Sequence, residues 1–151
     1  MPSTASIRRL ASGDDVAWRE LWTDYLTFYK ATRPEEVYAT TFARLVDPSD
    51  RSTFGFIAEV EGVPIGIVNC VIHRHLWRVE DVCYLGDLYV DPSVRGTGAG
   101  RALIEAVYSE AEALGAPYVY WLTQDFNTEA RKLYDRIGEL TPFIKYQRRA
   151  A

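Results

Sequence analysis

Apolar residues recur along this chain with two different periods, and the switches between them divide it into segments. Across residues 14–30, Trp18, Leu21, Trp22, Tyr25, Phe28 and Tyr29 return at spacings of three and four with Arg19, Glu20 and Asp24 between them. That spacing predicts an amphipathic helix. A second helix is predicted after Pro34, where Glu35 and Glu36 suit the positive end of a helix dipole and Tyr38, Phe42 and Leu45 supply a buried stripe. Short β-rich runs predict strands at residues 5–10, 54–60, 64–72, 84–90, 118–123 and 143–147, with Glu61-Gly62-Val63 turning a hairpin between the second and third. The helical period returns in Leu103, Ile104, Val107, Tyr108, Ala111 and Leu114, stopped by Gly115, and again in Ala130, Leu133, Tyr134 and Ile137, between Asn127 and Gly138. The order β, α, α, β, β, β, α, β, α, β predicts an α/β layer fold with a mixed sheet.

One junction carries chemistry. The predicted strand YLGDLYV runs through Asp91 and Pro92 into Arg95-Gly96-Thr97-Gly98-Ala99-Gly100-Arg101 and directly into a helix. Strand, glycine turn and helix start aim backbone N–H groups and the positive end of a dipole at one point, which is an anion site suited to phosphate. Gly96, Gly98 and Gly100 let the backbone approach a ligand and allow φ > 0 where the turn needs it. The spelling excludes two familiar loops. A P-loop needs a Lys-Ser or Lys-Thr pair, and none occurs; a dinucleotide fingerprint needs a third glycine where this chain has Arg101.

Composition narrows the partners. A length of 151 residues with 48% hydrophobic and 25% charged residues predicts a single globular domain over residues 1–151. A formal charge of −4 argues against general nucleic-acid binding and is compatible with a cationic small substrate. No apolar run approaches the ~20 residues of a membrane span, and the first residues lack the apolar core of a signal peptide, so a cytoplasmic protein is expected. Cys70 and Cys83 have no CxxC spacing, which predicts buried thiols and no metal site.

R-x-x-G-x-G, read from Arg95, Gly98 and Gly100 after LYV, resembles the acetyl-CoA loop of the GNAT N-acetyltransferase superfamily. N-x-x-A-x-x-L-Y-x-x-x-G, read from Asn127, Ala130, Leu133, Tyr134 and Gly138, resembles that family's second coenzyme-contacting segment. YLGDLYVDP, VYSEAEALGAP, VYWLT and PFIKYQR look most like the fungal histone-and-polyamine acetyltransferases and the related D-amino-acid N-acetyltransferase. The resemblance implies a GNAT fold, a mixed and mostly antiparallel sheet of about six to seven strands flanked by four helices. It implies acetyl-CoA as cosubstrate, held by Leu88, Tyr89 and Val90 of the strand, by Arg95, Gly96, Thr97, Gly98, Ala99, Gly100 and Arg101 of the loop, and by Asn127 and Tyr134. Asn127 is equally well read as a helix cap.

The implied reaction is direct attack of an amine on the acetyl thioester in a ternary complex, with Tyr134 as general acid to the leaving sulfur. The acceptor expected is a primary amine of a polyamine or amino acid. A protein lysine is the alternative acceptor, and a non-catalytic acyl-CoA sensor the alternative function. Tyr25, Phe28, Tyr29, Tyr84 and Gly86 are candidates to line the acceptor pocket, Gly86 leaving space where relatives carry an acid. The base is open between Glu80, Asp81, Asp87 and a water relay. Strict strand alternation puts Tyr84, Gly86 and Leu88 on one face and Asp87 on the other, unless a bulge shifts the register. Pairing of the terminal strand between subunits would make a homo-oligomer.

Overall fold

The computed structural model describes residues 4–94 and 96–150, so Arg95 lies outside the described residues. Five strands form the sheet: β1 (Ser6–Arg9), β2 (Thr53–Val60), β3 (Val63–His73), β4 (Val82–Val90) and β5 (Tyr118–Tyr120), in that spatial order. β1 to β4 pair antiparallel, and β5 joins β4 in parallel. The helices are α1 (Asp15–Phe28), α2 (Glu35–Val46), α3 (Ala99–Ala113) and α4 (Thr128–Ile137). The hairpin between β2 and β3 turns through Glu61 and Gly62, both at positive φ.

Each face of the sheet has its own core. On one, α3 lays Leu103, Ile104, Val107 and Ala111, all fully buried, against Phe54, Val68, Cys70, Cys83 and Leu85. Leu103, Ile104 and Val107 each contribute about 1.5–3 kcal/mol by leaving water. On the other face, Trp18, Leu21, Trp22 and Leu26 of α1 and Phe42 and Leu45 of α2 close over Ile57 and Ile67. The Trp18 and Trp22 rings stack at 5.1 Å, as residues four apart on one helix face should.

The expected sheet of six to seven strands is corrected to five. Residues 143–147 form no strand, and Phe143, Ile144 and Tyr146 are exposed at 75%, 77% and 89%. β-rich composition makes a strand only where an edge is available to pair with, and β5 is too short to supply one. The run expected at 118–123 is strand only from Tyr118 to Tyr120, and both of these tyrosines are exposed. No helix among the described residues is long and apolar enough to cross a membrane.

These environments predict opposite outcomes for two truncations. Leu103→Ala, in the α3 core, should destabilise the fold by about 2–5 kcal/mol in urea titration. Phe143→Ala should stay within about 0.5 kcal/mol of the parent at dilute concentration, because its side chain has little contact to lose.

Candidate active site

The site grows from an irregularity in β4. Asn69 of β3 pairs with Asp87, but the next residue, Cys70, pairs with Leu85, so Gly86 is an extra residue without a partner. A one-residue bulge exchanges the faces of everything beyond it. Before it, Cys83 and Leu85 belong to the α3 core; after it, Leu88 and Val90 do. Asp87 therefore joins Tyr84 on the α1/α2 face, the register shift that the alternation argument held open. An isolated glycine in a strand run is the residue type such a bulge favours.

Asp87 is held from two elements. Trp22 Nε1 of α1 donates to its Oδ2 at 3.2 Å, and Asn69 Nδ2 of β3 donates to the same oxygen at 2.9 Å. Asn69 in turn accepts from Trp18 Nε1 at 3.0 Å, so the buried amide uses both its ends. Three tyrosines gather around this carboxylate. Burial, and then the charge of Asp87, push the phenols of Tyr25, Tyr29 and Tyr84 above their usual range. Tyr84 stacks on Tyr120 at 4.9 Å, and Tyr120 shares a 2.8 Å hydrogen bond with His73.

A cleft of about 300 Å³ opens beside Asp87, lined also by Tyr84, Gly86 and Asn69 and, from α2, by Thr41, Arg44 and Leu45. A Cβ at Gly86 would meet nothing closer than 3.6 Å, so the glycine leaves free volume here. Glu80 is exposed, in the segment before β4. Seven residues of mostly extended chain separate it from Asp87, on the order of 20 Å, and it does not line the cleft. Phe28 is 61% exposed and packs edge-on against Tyr29, outside the cleft lining.

The other half of the site lies where β4 ends. β5 pairs with β4 only at Val82, Cys83 and Tyr84, so from Leu85 to Val90 that edge of β4 has no strand partner. Leu88, Tyr89 and Val90 stand on this open edge and lead into the glycine turn. Gly96 and Gly98 have φ of 84° and 72°, and a Cβ at either would meet nothing within 4 Å, so backbone conformation rather than space requires glycine there. Gly100 differs: inside α3, its position for a Cβ lies 3.4 Å from Leu133 of α4, which makes it a packing glycine. Gly98 is the N-cap of α3 without a side-chain cap, and its carbonyl accepts from Ala102. The amides of Ala99, Gly100 and Arg101 lie before the first intrahelical bond and point outward. Thr97 donates to the Val94 carbonyl at 3.1 Å. Arg101 is exposed and pairs with Glu105 at 2.8 Å.

Through the Leu133 contact, α4 sets Tyr134 near the same turn. Its ring meets Trp121 at 5.5 Å, and burial, with the neighbouring Tyr29, pushes its phenol up to about 12. Tyr29 thus lies between the two: burial and then Asp87 raise its phenol, and it adds to the rise of Tyr134. Asn127 occupies the N-cap of α4 but makes no capping bond; its Nδ2 donates to Thr123 Oγ1 at 3.2 Å. Among the described residues, no group of three or more His, Cys, Asp or Glu is placed to hold a metal ion.

Residues 17–138 match the acetyltransferase (GNAT) family. The chain belongs to that family. D-amino-acid N-acetyltransferase HPA3 of Saccharomyces cerevisiae is 40% identical over 143 residues, covering 94% of this chain and 89% of the yeast protein. The solved aminoglycoside acetyltransferase AAC(6')-Iy, in complex with a coenzyme A bisubstrate analogue, superposes with a TM-score of 0.83 at 24% identity over 98% of this chain and 100% of its own. A ribosomal-protein-alanine N-acetyltransferase from Brucella melitensis gives 0.77 at 22%, over 97% and 100%. This GNAT chain is an N-acetyltransferase with acetyl-CoA as cosubstrate, and its glycine turn fits that group: outward amides at a helix start and an open strand edge directly before them.

Sequence reasoning missed Asn69, Trp22, Thr41 and Arg44. For Asn69 a signal existed, since it is the one amide within the apolar run Ile65-Gly66-Ile67-Val68-Asn69-Cys70-Val71-Ile72. Asn69→Ala should cost about 1–3 kcal/mol in urea titration, because the Trp18 indole loses its buried acceptor.

Proposed function

We propose that this acetyltransferase acetylates the primary amine of a small molecule, an amino acid or a polyamine, by direct attack in a ternary complex. The observation that carries the reading is the cleft at Asp87 opening beside the unpaired edge of β4, which puts room for an acceptor next to the place for the thioester. Similarity to the D-amino-acid enzyme over nearly the whole chain supports a small acceptor.

When bound, acetyl-CoA supplies the activated acetyl group, and the residues of this chain bind, orient and move protons around it. The amides of the glycine turn hold the diphosphate, with Arg101 as a nearby cation. A backbone N–H in the stretch 88–90 hydrogen-bonds the thioester carbonyl as charge develops on its oxygen. Asp87 orients the incoming ammonium and takes part in removing its proton, while Tyr25, Tyr29 and Tyr84 exclude water around it. Glu80 is not among the residues that line the cleft, which favours Asp87 for that role.

Tyr134 serves the leaving sulfur. With its pKa near 12 the phenol keeps its proton throughout the working range. Full transfer to an alkyl thiolate of pKa about 8.5 is uphill by about 5 kcal/mol. Tyr134 therefore acts first as a hydrogen-bond donor, and a proton lost by the amine reaches the sulfur through it. The two free, buried thiols of Cys70 and Cys83 support a reducing, cytoplasmic setting. The exposed Phe143, Ile144 and Tyr146 support association between copies of the chain, whose catalytic unit is a single domain.

Release of free thiol from acetyl-CoA, screened across polyamines, D- and L-amino acids, aminoglycosides and a lysine-rich peptide, tests the reading. Turnover is expected with small amines; release with the peptide alone would overturn it in favour of a protein acceptor, and none with any amine would leave an acyl-CoA sensor. Tyr134→Phe should lower kcat by about 100-fold, with KM for acetyl-CoA within about twofold. In the parent enzyme, kcat should show no alkaline decline from this group below about pH 11.

A further inference from the structure

The acceptor cleft has a second charged wall that the chemistry above does not use. Arg44 lies in the last turn of α2 and lines the same cleft as Asp87, together with Thr41 and Thr53. Its side chain makes no hydrogen bond or ion pair among the described residues. Asp50, whose carboxyl Arg44 helps hold below its usual range, is already engaged by Ser52 and Thr53, and those bonds come first in setting it. A cation in the last turn suits the helix dipole wherever it points. Here it borders a cleft whose other charged group is a carboxylate.

We propose that Arg44 is the specificity residue for the acceptor, binding the α-carboxylate of a free amino acid whose ammonium lies against Asp87. This rests on the reading of the cleft as the acceptor site and selects within it. A guanidinium matches a carboxylate in two parallel hydrogen bonds, which an amide or an alkyl group cannot reproduce. An amino acid carries one positive and one negative group, complementary to Asp87 and Arg44. A polyamine presents a second ammonium where the amino acid has its carboxylate, and Arg44 repels it. The unfilled volume over Gly86 gives the amino-acid side chain a place to go.

Thiol-release kinetics on the full chain test the assignment, using each amino acid and its carboxamide as a matched pair. The parent should favour the free acid, and Arg44→Ala should raise KM for it by about 30-fold or more, with the carboxamide changed by less than about threefold. Arg44→Lys, which keeps a point charge but loses the fork, should recover part of the difference; this separates charge recognition from a packing defect. Equal losses on acid and carboxamide, or a parent indifferent to the carboxylate, would overturn the role of Arg44 while leaving the acetyltransferase reading intact. A parent that releases thiol with no amine at all fails at the earlier step, and this assignment fails with it.

Discussion

The site depends on the hydrogen bonds that meet at Asp87. A carboxylate beside an apolar core is costly unless donors surround it, and this one draws an indole from α1 and an amide from β3. The same bonds fix how α1 lies on the sheet. Trp18 and Trp22, four residues apart on one helix face, reach Asn69 and Asp87 respectively, so the helix is held to two adjacent strands by polar contacts as well as by packing. Tyr25 and Tyr29, further along that helix, inherit their positions from this anchorage. Placing the acid and placing the aromatic wall are one structural problem with one solution.

Donor and acceptor sites divide between the two faces of the sheet. The glycine turn belongs to the α3 side, where Gly100 meets Leu133 and brings α4 with it. The cleft belongs to the α1/α2 side. Because β5 leaves β4 after Tyr84, the two meet at an opening in the sheet itself, and no strand intervenes between them. Across it, Tyr29 on one side adds to the rise of the buried Tyr134 phenol on the other.

Much of this was legible in the chain, for identifiable reasons. The α3 helix repeats its apolar residues without interruption and is bounded by glycines on both sides, so pattern and packing agree. The glycine turn is legible because its function demands a backbone conformation, and only glycine takes φ near 72–84° without strain. The final strand was misread because composition reports how well side chains suit a pleated surface, not whether a neighbouring edge exists. Phe143 and Ile144 have the residue types and lack the partner. Arg44 left no trace, since an exposed arginine on an amphipathic helix looks the same whether it faces a cleft or open solvent. Glu80 was a candidate as an acid just before the strand, and sequence order alone could not tell that it is Asp87, not Glu80, that lines the cleft.

The face on which Asp87 emerges is decided by counting rather than by residue identity. Losing the single codon for Gly86 would close the bulge with Leu85 still opposite Cys70 and Asp87 still opposite Asn69, each on its present face, because the glycine is the residue without a partner. Among descendants of this gene, the bulge is therefore a place where β4 can shorten by one residue without moving the acid off the cleft face.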